Sequence, residues 1–334
     1  MTWTEDPRSA PALRWGILGP GWIANAFVAA VKAGTQQQVV AVGSRDEPRA
    51  RAFAEKWDVA GVYCSYEELV ADPNVDVVYV ATPHSHHRDH ALQAIAAGKH
   101  VLVEKAFTRN ANEAREVVDA ARQKQVFCME AMWTRFLPHM VALRKLLADG
   151  AVGDIVNLQA DHGQFFPFQA AHRLYDPRLA GGALLDLGIY PVSFAHDILG
   201  EPSRVHAVGT LTPSNVDGQV SLIFAYDSPA QAELSTTLWA RTATRASIAG
   251  TAGRIDIDGP FYTPTGFTLE RLDGTTFRFE KPLTHGLHFQ AAEVARRVSA
   301  GELESPLMPL DESVQIMSVL DEVRGQIGVT YPGE

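Results

Sequence analysis

The sequence predicts an α/β protein of two domains, in which a doubly wound parallel sheet is followed by an α/β domain with a large, mostly antiparallel open sheet. Its 334 residues are roughly twice the length of a typical domain. Short apolar runs alternate with helical patterns in the first half, which is typical of βαβ units. In the second half, successive strand patterns are joined by brief turns such as Asp273-Gly274, which indicates antiparallel pairing.

Continuous apolar runs predict the buried strands of the first domain, because helices cover both faces of a parallel sheet. The expected strands are Trp15 to Leu18, Val39 to Val42, Val75 to Ala81, His100 to Val103 and Val126 to Met129. Helical patterns between them cover Trp22 to Lys32, Glu47 to Trp57, Tyr66 to Ala71, Asp89 to Ala97 and Asn112 to Lys124. The short crossovers favour right-handed connections and therefore a doubly wound sheet.

The second domain is expected to begin after Phe136, where the βαβ alternation ends. A helix over Pro138 to Leu147, a strand over Ile155 to Ala160 and a helical segment over Gly182 to Leu199 come first. The expected strands that follow are Ser203 to Leu211, Val220 to Tyr226, Ala230 to Leu238, Arg245 to Ala249, Gly253 to Ile257, Phe267 to Leu272 and Thr275 to Phe279, and the last helices are Gly286 to Ser299 and Asp311 to Ile327. We therefore divide the chain into a flexible extension at 1–12, a parallel-sheet domain at 13–136 and a second domain at 137–334.

The charge and cysteine content argue against several classes of protein. With 29 Lys and Arg against 39 Asp and Glu, the formal net charge is −10, which disfavours a nucleic-acid partner. Only Cys64 and Cys128 are present, too few for a disulfide framework, so we expect a reducing cytoplasm. The sequence has no apolar stretch of about 18 residues, as a membrane span requires. Residues 1–12 do not resemble a secretory signal, and we expect no membrane partner.

A dinucleotide fingerprint directly follows the first predicted strand and opens the first helix. It reads G-x-G-x-x-A over Gly19, Pro20, Gly21, Trp22, Ile23 and Ala24. Gly19 permits the tight turn, Gly21 lets a pyrophosphate approach the backbone, and Ala24 keeps helix and strand close. The strand, turn and helix context predicts a Rossmann nucleotide-binding domain.

The end of the second strand indicates which nicotinamide cofactor binds. An NAD site usually places a carboxylate here for the ribose 2′-hydroxyl, but this strand ends in Ser44 and Arg45. A hydroxyl and a guanidinium suit a 2′-phosphate, which predicts NADP. NAD stays open as the alternative, because Asp46 could reach the ribose while Arg45 is solvated.

Two further loops lie at the carboxyl ends of predicted strands, where open α/β sheets bind ligands. In the first loop, Thr82, Pro83 and His87 are expected to line the nicotinamide ribose. His86 and His90 are one helical turn apart and suggest a metal site, but no carboxylate or thiolate stands at a suitable spacing, so we predict no metal. In the second loop, Lys105 places an ammonium beside the expected nicotinamide pocket, although a surface charge is the alternative.

The second domain offers a carboxylate and a phenol in an otherwise apolar helical segment. Asp186 and Tyr190 are four residues apart, so on an α-helix they share one face. Gly181 and Gly182 precede them. This pattern indicates a polar site, with a core tyrosine bonded to a local aspartate as the alternative.

The residues described so far resemble the glucose-fructose oxidoreductase and inositol dehydrogenase family, or Gfo/Idh/MocA family. Thr82 to His87 is similar to its T-P-N-x-x-H signature, and Ala96 to Lys105 to its A-G-K-H-V-x-x-E-K-P signature. The resemblance extends from about Arg14 to Pro332. It is more specific for the branch of dimeric dihydrodiol dehydrogenases and NADP-dependent D-xylose 1-dehydrogenases over Met129 to Phe136, Gly181 to Tyr190, Glu304 to Pro306 and Gly328 to Pro332.

Three positions depart from the general family pattern. Ala106 stands in place of the usual Pro, which we expect to loosen the turn that aims Lys105. His84 replaces the common Asn, which is expected to alter contacts with the cofactor. Tyr190 occupies the position of the catalytic His of many relatives, as a tyrosine also does in the dihydrodiol and xylose branch.

The resemblance implies hydride transfer between nicotinamide and a carbon that bears a sugar or cyclic diol hydroxyl. It implies that Tyr190 is the acid and base and that Asp186 orients the reacting groups. Lys105 would be the clamp for substrate and the electrostatic partner of Tyr190, since an ammonium favours the phenolate of a nearby tyrosine. Trp133 and Arg135 are expected to border the substrate. The family also implies a homodimer or a dimer-based tetramer.

The resemblance and the fingerprint together define the expected nucleotide contacts. They are Gly19, Pro20, Gly21, Trp22, Ile23, Ala24, Ser44, Arg45, Thr82, Pro83, His84, His87, Glu104 and Lys105. Two other functions remain open at this point. One is a reductase or dehydrogenase of 1,5-anhydrofructose, inositol or another sugar ketone, and the other is a regulatory protein that senses NADP(H).

Overall fold

A computed structural model describes residues 3–334 and divides the chain into two compact units. The parallel-sheet unit comprises Glu5–Trp133 and His285–Val314. The mixed-sheet unit comprises Thr134–Thr284 and Gln315–Glu334, together with the described residues before Glu5. The chain therefore leaves the first unit near residue 133 and returns to it for 285–314, a return that the sequence pattern does not indicate.

The parallel-sheet unit contains six parallel strands in the order β3-β2-β1-β4-β5-β6. They are β1 Arg14–Leu18, β2 Gln38–Gly43, β3 Gly61–Tyr63, β4 Val77–Val80, β5 His100–Val103 and β6 Cys128–Glu130. The helices between them are α1 Trp22–Gly34, α2 Glu47–Trp57, α3 Tyr66–Ala71, α4 His87–Ala96 and α5 Ala111–Lys124. The prediction of a doubly wound sheet is confirmed, and the carboxyl ends of β1, β4 and β5 meet at one edge.

Strand β3 is absent from the sequence prediction. It has only three residues, all half-buried, and it lies at the edge of the sheet. A strand this short does not produce the continuous apolar run that identifies the central strands.

The segment before β1 differs from the predicted loose extension. Pro7–Ser9 forms a 3₁₀ turn that Asp6 caps by accepting a hydrogen bond from the Arg8 amide. Ala10 is 3% exposed and packs against Ala292 and Ala295. Both belong to α8, His288–Ser299, so this segment and the returning helix share one apolar contact.

The mixed-sheet unit contains eight strands in the order β14-β13-β12-β11-β7-β10-β9-β8. They are β7 Ile155–Gly163, β8 Arg204–Leu211, β9 Asp217–Ala225, β10 Gln231–Thr237, β11 Ala246–Gly250, β12 Gly253–Ile257, β13 Phe267–Arg271 and β14 Thr276–Phe279. Only β7 and β10 pair in parallel, and the other neighbours are antiparallel. The predicted mostly antiparallel sheet is confirmed.

One face of this second sheet is covered by helices of its own unit. The remaining helices are α6 Pro138–Ala148, α7 Ile189–Leu199 and α9 Leu310–Ile327. Along β9, Val220, Leu222 and Phe224 are buried while the residues between them are exposed, which is the alternation of a sheet with one covered face. Helix α7 and the turn before it pack on β7 and β10. No helix among residues 3–334 is both long and apolar enough to cross a membrane.

Candidate active site

The glycine turn after β1 leaves room for a phosphate at the start of α1. Gly19 has φ of +89°, and a Cβ there would lie 3.0 Å from the Thr82 methyl group. A Cβ on Gly21 would have no neighbour within 4 Å, and Gly21 is the N-cap of α1. No side chain among the described residues caps this helix, so its first amide groups remain available to an anion. The turn fits a bound pyrophosphate as the fingerprint predicts.

Ser44 and Arg45, the residues expected to contact a 2′-phosphate, directly follow β2. The Asp46 carboxylate accepts a hydrogen bond from the Arg49 amide at 3.1 Å and so caps α2. The buried Ser44 hydroxyl oxygen accepts from the Asp46 amide, also at 3.1 Å, which leaves its hydrogen available for donation. The Asp46 carboxylate, on which the NAD alternative depends, is therefore already hydrogen-bonded to the first turn of α2.

Arg45 also lines a pocket of about 530 Å³ in the parallel-sheet unit. The other lining residues are Cys64, Ser65, Tyr66, Glu67, Asp89, His90 and Gln93. Burial raises the pKa of Tyr66, and the nearby Arg45 guanidinium opposes that shift. The lining combines the Arg45 guanidinium with two carboxylates, Glu67 and Asp89, and whether a phosphate group binds beside Arg45 stays a prediction.

The histidines after β4 are mostly engaged within the protein. His87 is 1% exposed, and its Nδ1 and Nε2 lie 2.9 Å and 2.7 Å from the carbonyl oxygens of Ala106 and Thr82. Burial lowers the pKa of His87 to about 4, and the two carbonyls oppose this shift. The ring therefore joins the loop after β4 to the loop after β5. Its contact with a cofactor stays a prediction.

The other histidines of this loop pack against their neighbours. His84 is 6% exposed and meets the His87 ring edge-on, while His90 places Nδ1 3.0 Å from the Thr82 hydroxyl. Burial lowers the pKa of His90 to about 4. Within residues 3–334, no group of three or more His, Cys, Asp or Glu side chains is arranged to hold a metal ion.

Buried carboxylates hold the backbone around Lys105. Glu104 is 5% exposed and accepts a hydrogen bond from the Tyr79 hydroxyl. The Phe107 amide donates to the Glu130 carboxylate at 3.1 Å. Ala106, between Lys105 and Phe107, is fully buried. The Lys105–Ala106 peptide bond is cis. The expectation that Ala106 loosens this turn is not met, because carboxylates and the His87 ring hold it on both sides. Lys105 itself is half-buried.

In the mixed-sheet unit, Asp186 and Tyr190 lie on a segment that differs from a regular α-helix. Residues Leu184–Gly188 form a π-helical turn, and α7 begins at Ile189. This departs from the predicted α-helix, in which both side chains share a face. Such turns occur often at functional sites, since they change the direction of side chains. Asp186 and Tyr190 are 6% and 8% exposed.

Tyr262 lies close to both Tyr190 and Asp186. The ring centroids of Tyr190 and Tyr262 are 4.4 Å apart. Burial raises the pKa of Tyr262, and the negative charge of Asp186 raises it further. The Thr134 hydroxyl donates to the Tyr262 carbonyl at 2.8 Å and fixes this position in the chain.

His162 completes an aromatic cluster with Tyr190 and Tyr262. Its ring centroid lies 5.4 Å from that of Tyr190 and 4.4 Å from that of Tyr262. His162 Nδ1 donates to the Leu187 carbonyl at 3.2 Å, and its Nε2 accepts from the Gln164 amide at 2.9 Å. These partners suit a neutral imidazole with the proton on Nδ1. Three members of this site, His162, Gln164 and Tyr262, were missed by sequence reasoning.

A signal for His162 exists in the sequence. Strand β7 continues to Gly163, beyond the predicted end at Ala160. Leu158, Ala160 and His162 alternate along it and are all buried. Extending the alternation by two residues therefore places His162 on the covered face.

The two residues expected to border the substrate differ in their surroundings. Arg135 is 2% exposed, and its guanidinium donates to the hydroxyl and carbonyl oxygens of Ser193 on α7. It also lies 3.8 Å from Asp197. These contacts give Arg135 a structural role in holding α7, and its place beside a substrate stays a prediction. Trp133 is half-buried at the end of the other unit, and its substrate contact stays a prediction.

The two units together define a nicotinamide-dependent oxidoreductase. One presents an open phosphate turn and an arginine-lined pocket, and the other presents a buried carboxylate and phenol among aromatic rings. Residues 13–132 match the oxidoreductase family with the NAD-binding Rossmann fold, and residues 140–256 match the Gfo/Idh/MocA C-terminal domain. The chain belongs to the Gfo/Idh/MocA oxidoreductase family, as the sequence resemblance predicted.

Curated relatives extend over nearly the whole chain. The trans-1,2-dihydrobenzene-1,2-diol dehydrogenase of Bos taurus is 38% identical over 334 residues, covering 96% of this chain and 98% of the relative. The enzyme of the same name from Homo sapiens is 38% identical over 336 residues, with the same two coverages.

Solved structures share the fold. An aldose-aldose oxidoreductase from Caulobacter crescentus, complexed with glycerol, has a TM-score of 0.85 at 25% identity and covers 95% of this chain and 97% of its own. A 3-ketoreductase from Actinomadura kijaniata, in complex with NADP and TDP-benzene, has a TM-score of 0.83 at 26% identity, with coverages of 95% and 98%. Both support an oxidoreductase, and the NADP in the second supports the use of a nicotinamide cofactor.

Proposed function

We propose that this protein is an NADP-dependent dehydrogenase or reductase acting on a hydroxyl-bearing carbon of a sugar or a cyclic diol. The observation that carries the proposal is the buried Asp186 and Tyr190 pair, gathered around Tyr262 in a family whose first domain binds a nicotinamide cofactor. Its curated relatives act on a cyclic diol by name, and one structural neighbour acts on aldoses.

The residues would divide the chemistry as follows. Bound nicotinamide supplies or accepts the hydride at C4. Tyr190 moves the proton of the substrate hydroxyl, and Asp186 orients the substrate for that transfer. Lys105 favours the phenolate of Tyr190 electrostatically and holds a substrate oxygen. The buried setting of Tyr190 keeps bulk water away from the transferred proton.

The NADP preference is supported by the contacts after β2. Asp46 caps α2, Ser44 has a hydrogen to donate, and exposed Arg45 lines the adjacent pocket. The test is to compare kcat/KM for NADP and NAD with one substrate. A clear excess for NADP supports the proposal, whereas equal values or an NAD preference contradict it.

The aromatic cluster favours a ring substrate. His162 and Tyr262 stack nearly face to face, with an interplanar angle of 29°, and Gln164 adds a polar group beside them. Sugar rings and cyclic diols combine an apolar face, which packs on aromatic rings, with hydroxyls that need hydrogen-bond partners. Both D-xylose and trans-dihydrodiols fit this description.

A substrate panel tests the proposal. Pentoses, hexoses, inositols, ketoses, 1,5-anhydrofructose and cyclic diols would be assayed with NADP or NADPH. Oxidation of a sugar or diol supports the proposed function. Turnover only with ketoses or 1,5-anhydrofructose favours the sugar-ketone reductase, and tight NADPH binding without any turnover favours the regulatory protein.

The outer face of the second sheet supports the proposed homodimer or dimer-based tetramer. Val208 and Ile223 are 77% and 50% exposed on that face, on neighbouring strands β8 and β9. Exposed apolar side chains on an open sheet are favourable contacts for a second copy. Light scattering at micromolar concentration measures the mass, and a strict monomer would contradict this part of the proposal. We also propose that the protein is located in a reducing cytoplasm, since Cys64 and Cys128 are both free thiols.

A further inference from the structure

A buried carboxylate lies at the start of the segment that bears Asp186 and Tyr190. Asp217, the first residue of β9, is 0% exposed, and its Oδ2 accepts a hydrogen bond from the Leu184 amide at 2.6 Å. Leu184 opens the π-helical turn. Amide groups at a helix start lack partners within the helix, and a carboxylate there also meets the positive end of the helix dipole. Asp217 therefore caps this segment from a neighbouring strand.

The backbone at position 182 passes so close to the Asp217 side chain that the position requires glycine. Gly182 has φ of +122°, and a Cβ at this position would lie 2.2 Å from Asp217 Oδ1. Neither the backbone conformation nor the space allows a side chain. The entry to the segment is thus fixed directly against the Asp217 carboxylate.

Tyr331 holds the other side of the same entry. Its hydroxyl donates to the Gly181 carbonyl at 2.9 Å, and the residue is 4% exposed. The Arg324 guanidinium lies 4.8 Å from the Tyr331 ring centroid and is paired with Glu334 at 2.9 Å. Residues 331–334 therefore fasten the Gly181 carbonyl to helix α9.

Nearby amides and a guanidinium partly offset the burial of the Asp217 carboxylate. Burial raises its pKa to about 6, while the amides of Leu184 and Ala183 and the charge of Arg324 oppose the shift. The Tyr331 phenol is the other titratable group beside it. A buried carboxylate without such donors would be costly, so its position depends on the amides that it caps.

We propose that Asp217 is a positioning residue for Tyr190, and that Tyr331 supports it. Together they determine where the segment begins, and thereby where the Asp186 carboxylate and the Tyr190 hydroxyl lie. This inference rests on the proposed function of Tyr190. Small displacements of a catalytic group are expensive, since about 1 Å can cost ~100-fold in rate.

Three variants test the proposal in the full-length protein. Asp217→Ala removes the cap and is expected to lower kcat about 10-fold or more, with KM for NADPH within about 2-fold of wild type. Asp217→Asn retains a carbonyl oxygen for the Leu184 amide and should stay within about 3-fold of wild type. Tyr331→Phe removes one hydrogen bond and should lower kcat by roughly 3-fold. Asp273→Ala is the matched control, since Asp273 caps the Thr275 amide in a surface turn.

Hydrogen–deuterium exchange with NADPH present reports on the segment independently of turnover. Asp217→Ala should accelerate exchange in residues 184–190 but not in β5, and Asp273→Ala should change neither. Unchanged exchange in 184–190, an equal rise throughout β8 to β10, or a kcat within about 2-fold of wild type would overturn the proposal.

If Asp217→Ala does not fold, Tyr331→Phe decides by the same criteria. If the wild type turns over no substrate, the proposed function fails while the exchange result still decides whether Asp217 holds the segment.

Discussion

Arg173 holds both carboxylate oxygens of Asp186. Its Nη1 lies 3.1 Å from Oδ1 and its Nη2 lies 3.2 Å from Oδ2. The Asp186 side chain is 9% exposed, whereas that of Arg173 is 52% exposed. Bidentate pairing fixes the plane of a carboxylate as well as its charge. The orientation of the buried aspartate therefore depends on a side chain at the surface of its unit.

Replacing Arg173 should impair catalysis more than stability. Arg173→Ala frees the Asp186 carboxylate to rotate, so we expect kcat/KM for the substrate to fall about 10-fold. Arg173→Lys should recover little, because an ammonium cannot make the two parallel bonds. Steady-state kinetics and thermal denaturation measure the two effects. Arg178→Ala is the control, since Arg178 pairs with Asp176 on the same stretch, and an equal loss in both variants would contradict the prediction.

Tyr190→Phe should remove the proton-transfer step while the fold and the cofactor site remain. Loss of a general acid or base lowers rates by roughly 100- to 10,000-fold, and we expect kcat to fall within that range. NADPH binding, measured by fluorescence titration, should be unchanged. Tyr226→Phe provides the comparison, because the buried Tyr226 hydroxyl has no hydrogen-bond partner in the described structure. Near wild-type kcat in Tyr190→Phe would rule out the assigned role.

Lys105→Met should slow the reaction and move its pH dependence. The substitution keeps the length of the side chain and removes the charge that, in the proposed mechanism, favours the phenolate, so the pKa that Tyr190 gives to the kcat profile should rise. We expect kcat at neutral pH to fall at least about 10-fold. Lys124→Met, at the exposed end of α5, should leave the profile unchanged. A fall in kcat without any shift of the profile would assign Lys105 to substrate binding alone.

The sequence predicts well those elements whose conformation is determined by residues nearby in the chain. The glycine turn before α1 and the apolar central strands depend on nearby residues, and both are present in the structure. The aromatic cluster depends on distant ones, since Tyr262, in the turn before β13, is held by Thr134 and stacks on His162 of β7. Arg135 shows a related limit: it is a charged residue in a recognisable motif and is buried against Ser193, while its place beside the substrate stays a prediction. Single-sequence patterns do not distinguish a guanidinium that contacts a ligand from one that holds a helix.

The π-helical turn shows a further limit of periodicity. Asp186 and Tyr190 are spaced for one face of an α-helix, yet Leu184–Gly188 has a wider repeat. Asp217 determines this geometry by capping the Leu184 amide and by lying directly against Gly182. Asp217 belongs to β9, which follows the π-helical turn only after α7 and β8. Helix propensity alone therefore predicts the existence of the segment but not the direction of its side chains.

Arg45→Ala should reduce discrimination between the two nicotinamide cofactors. A guanidinium pairs strongly with a phosphate and has no counterpart on NAD, so kcat/KM should fall about 10- to 100-fold for NADP and change little for NAD. Arg51→Ala is a suitable control, because Arg51 pairs with Glu47 on the exposed side of α2. Parallel losses for both cofactors would mean that Arg45 does not contact the 2′-phosphate.

Stability should decrease as the pH falls from about 6.5 towards 4. Burial lowers the pKa of both His87 and His139 to about 4, from an ordinary value of 6.5. In this window the unfolded chain binds protons that the folded chain does not, so each group contributes at most about 1.4 kcal/mol per pH unit. Burial also lowers the pKa of His90 and His288 to about 4. Asp217, with its pKa raised from 3.8 to about 6, acts in the opposite direction, but it is one group against these four histidines.

Chemical denaturation between pH 7 and pH 4.5 measures this dependence. His139→Gln should reduce the slope of unfolding free energy against pH, because glutamine can still donate to the Phe261 carbonyl but does not titrate. His206→Gln, at an exposed position on β8, should leave the slope unchanged. If His139→Gln and wild type lose stability equally over this range, the His139 imidazole is not the source of the acid sensitivity, and His87, His90 and His288 would have to account for it.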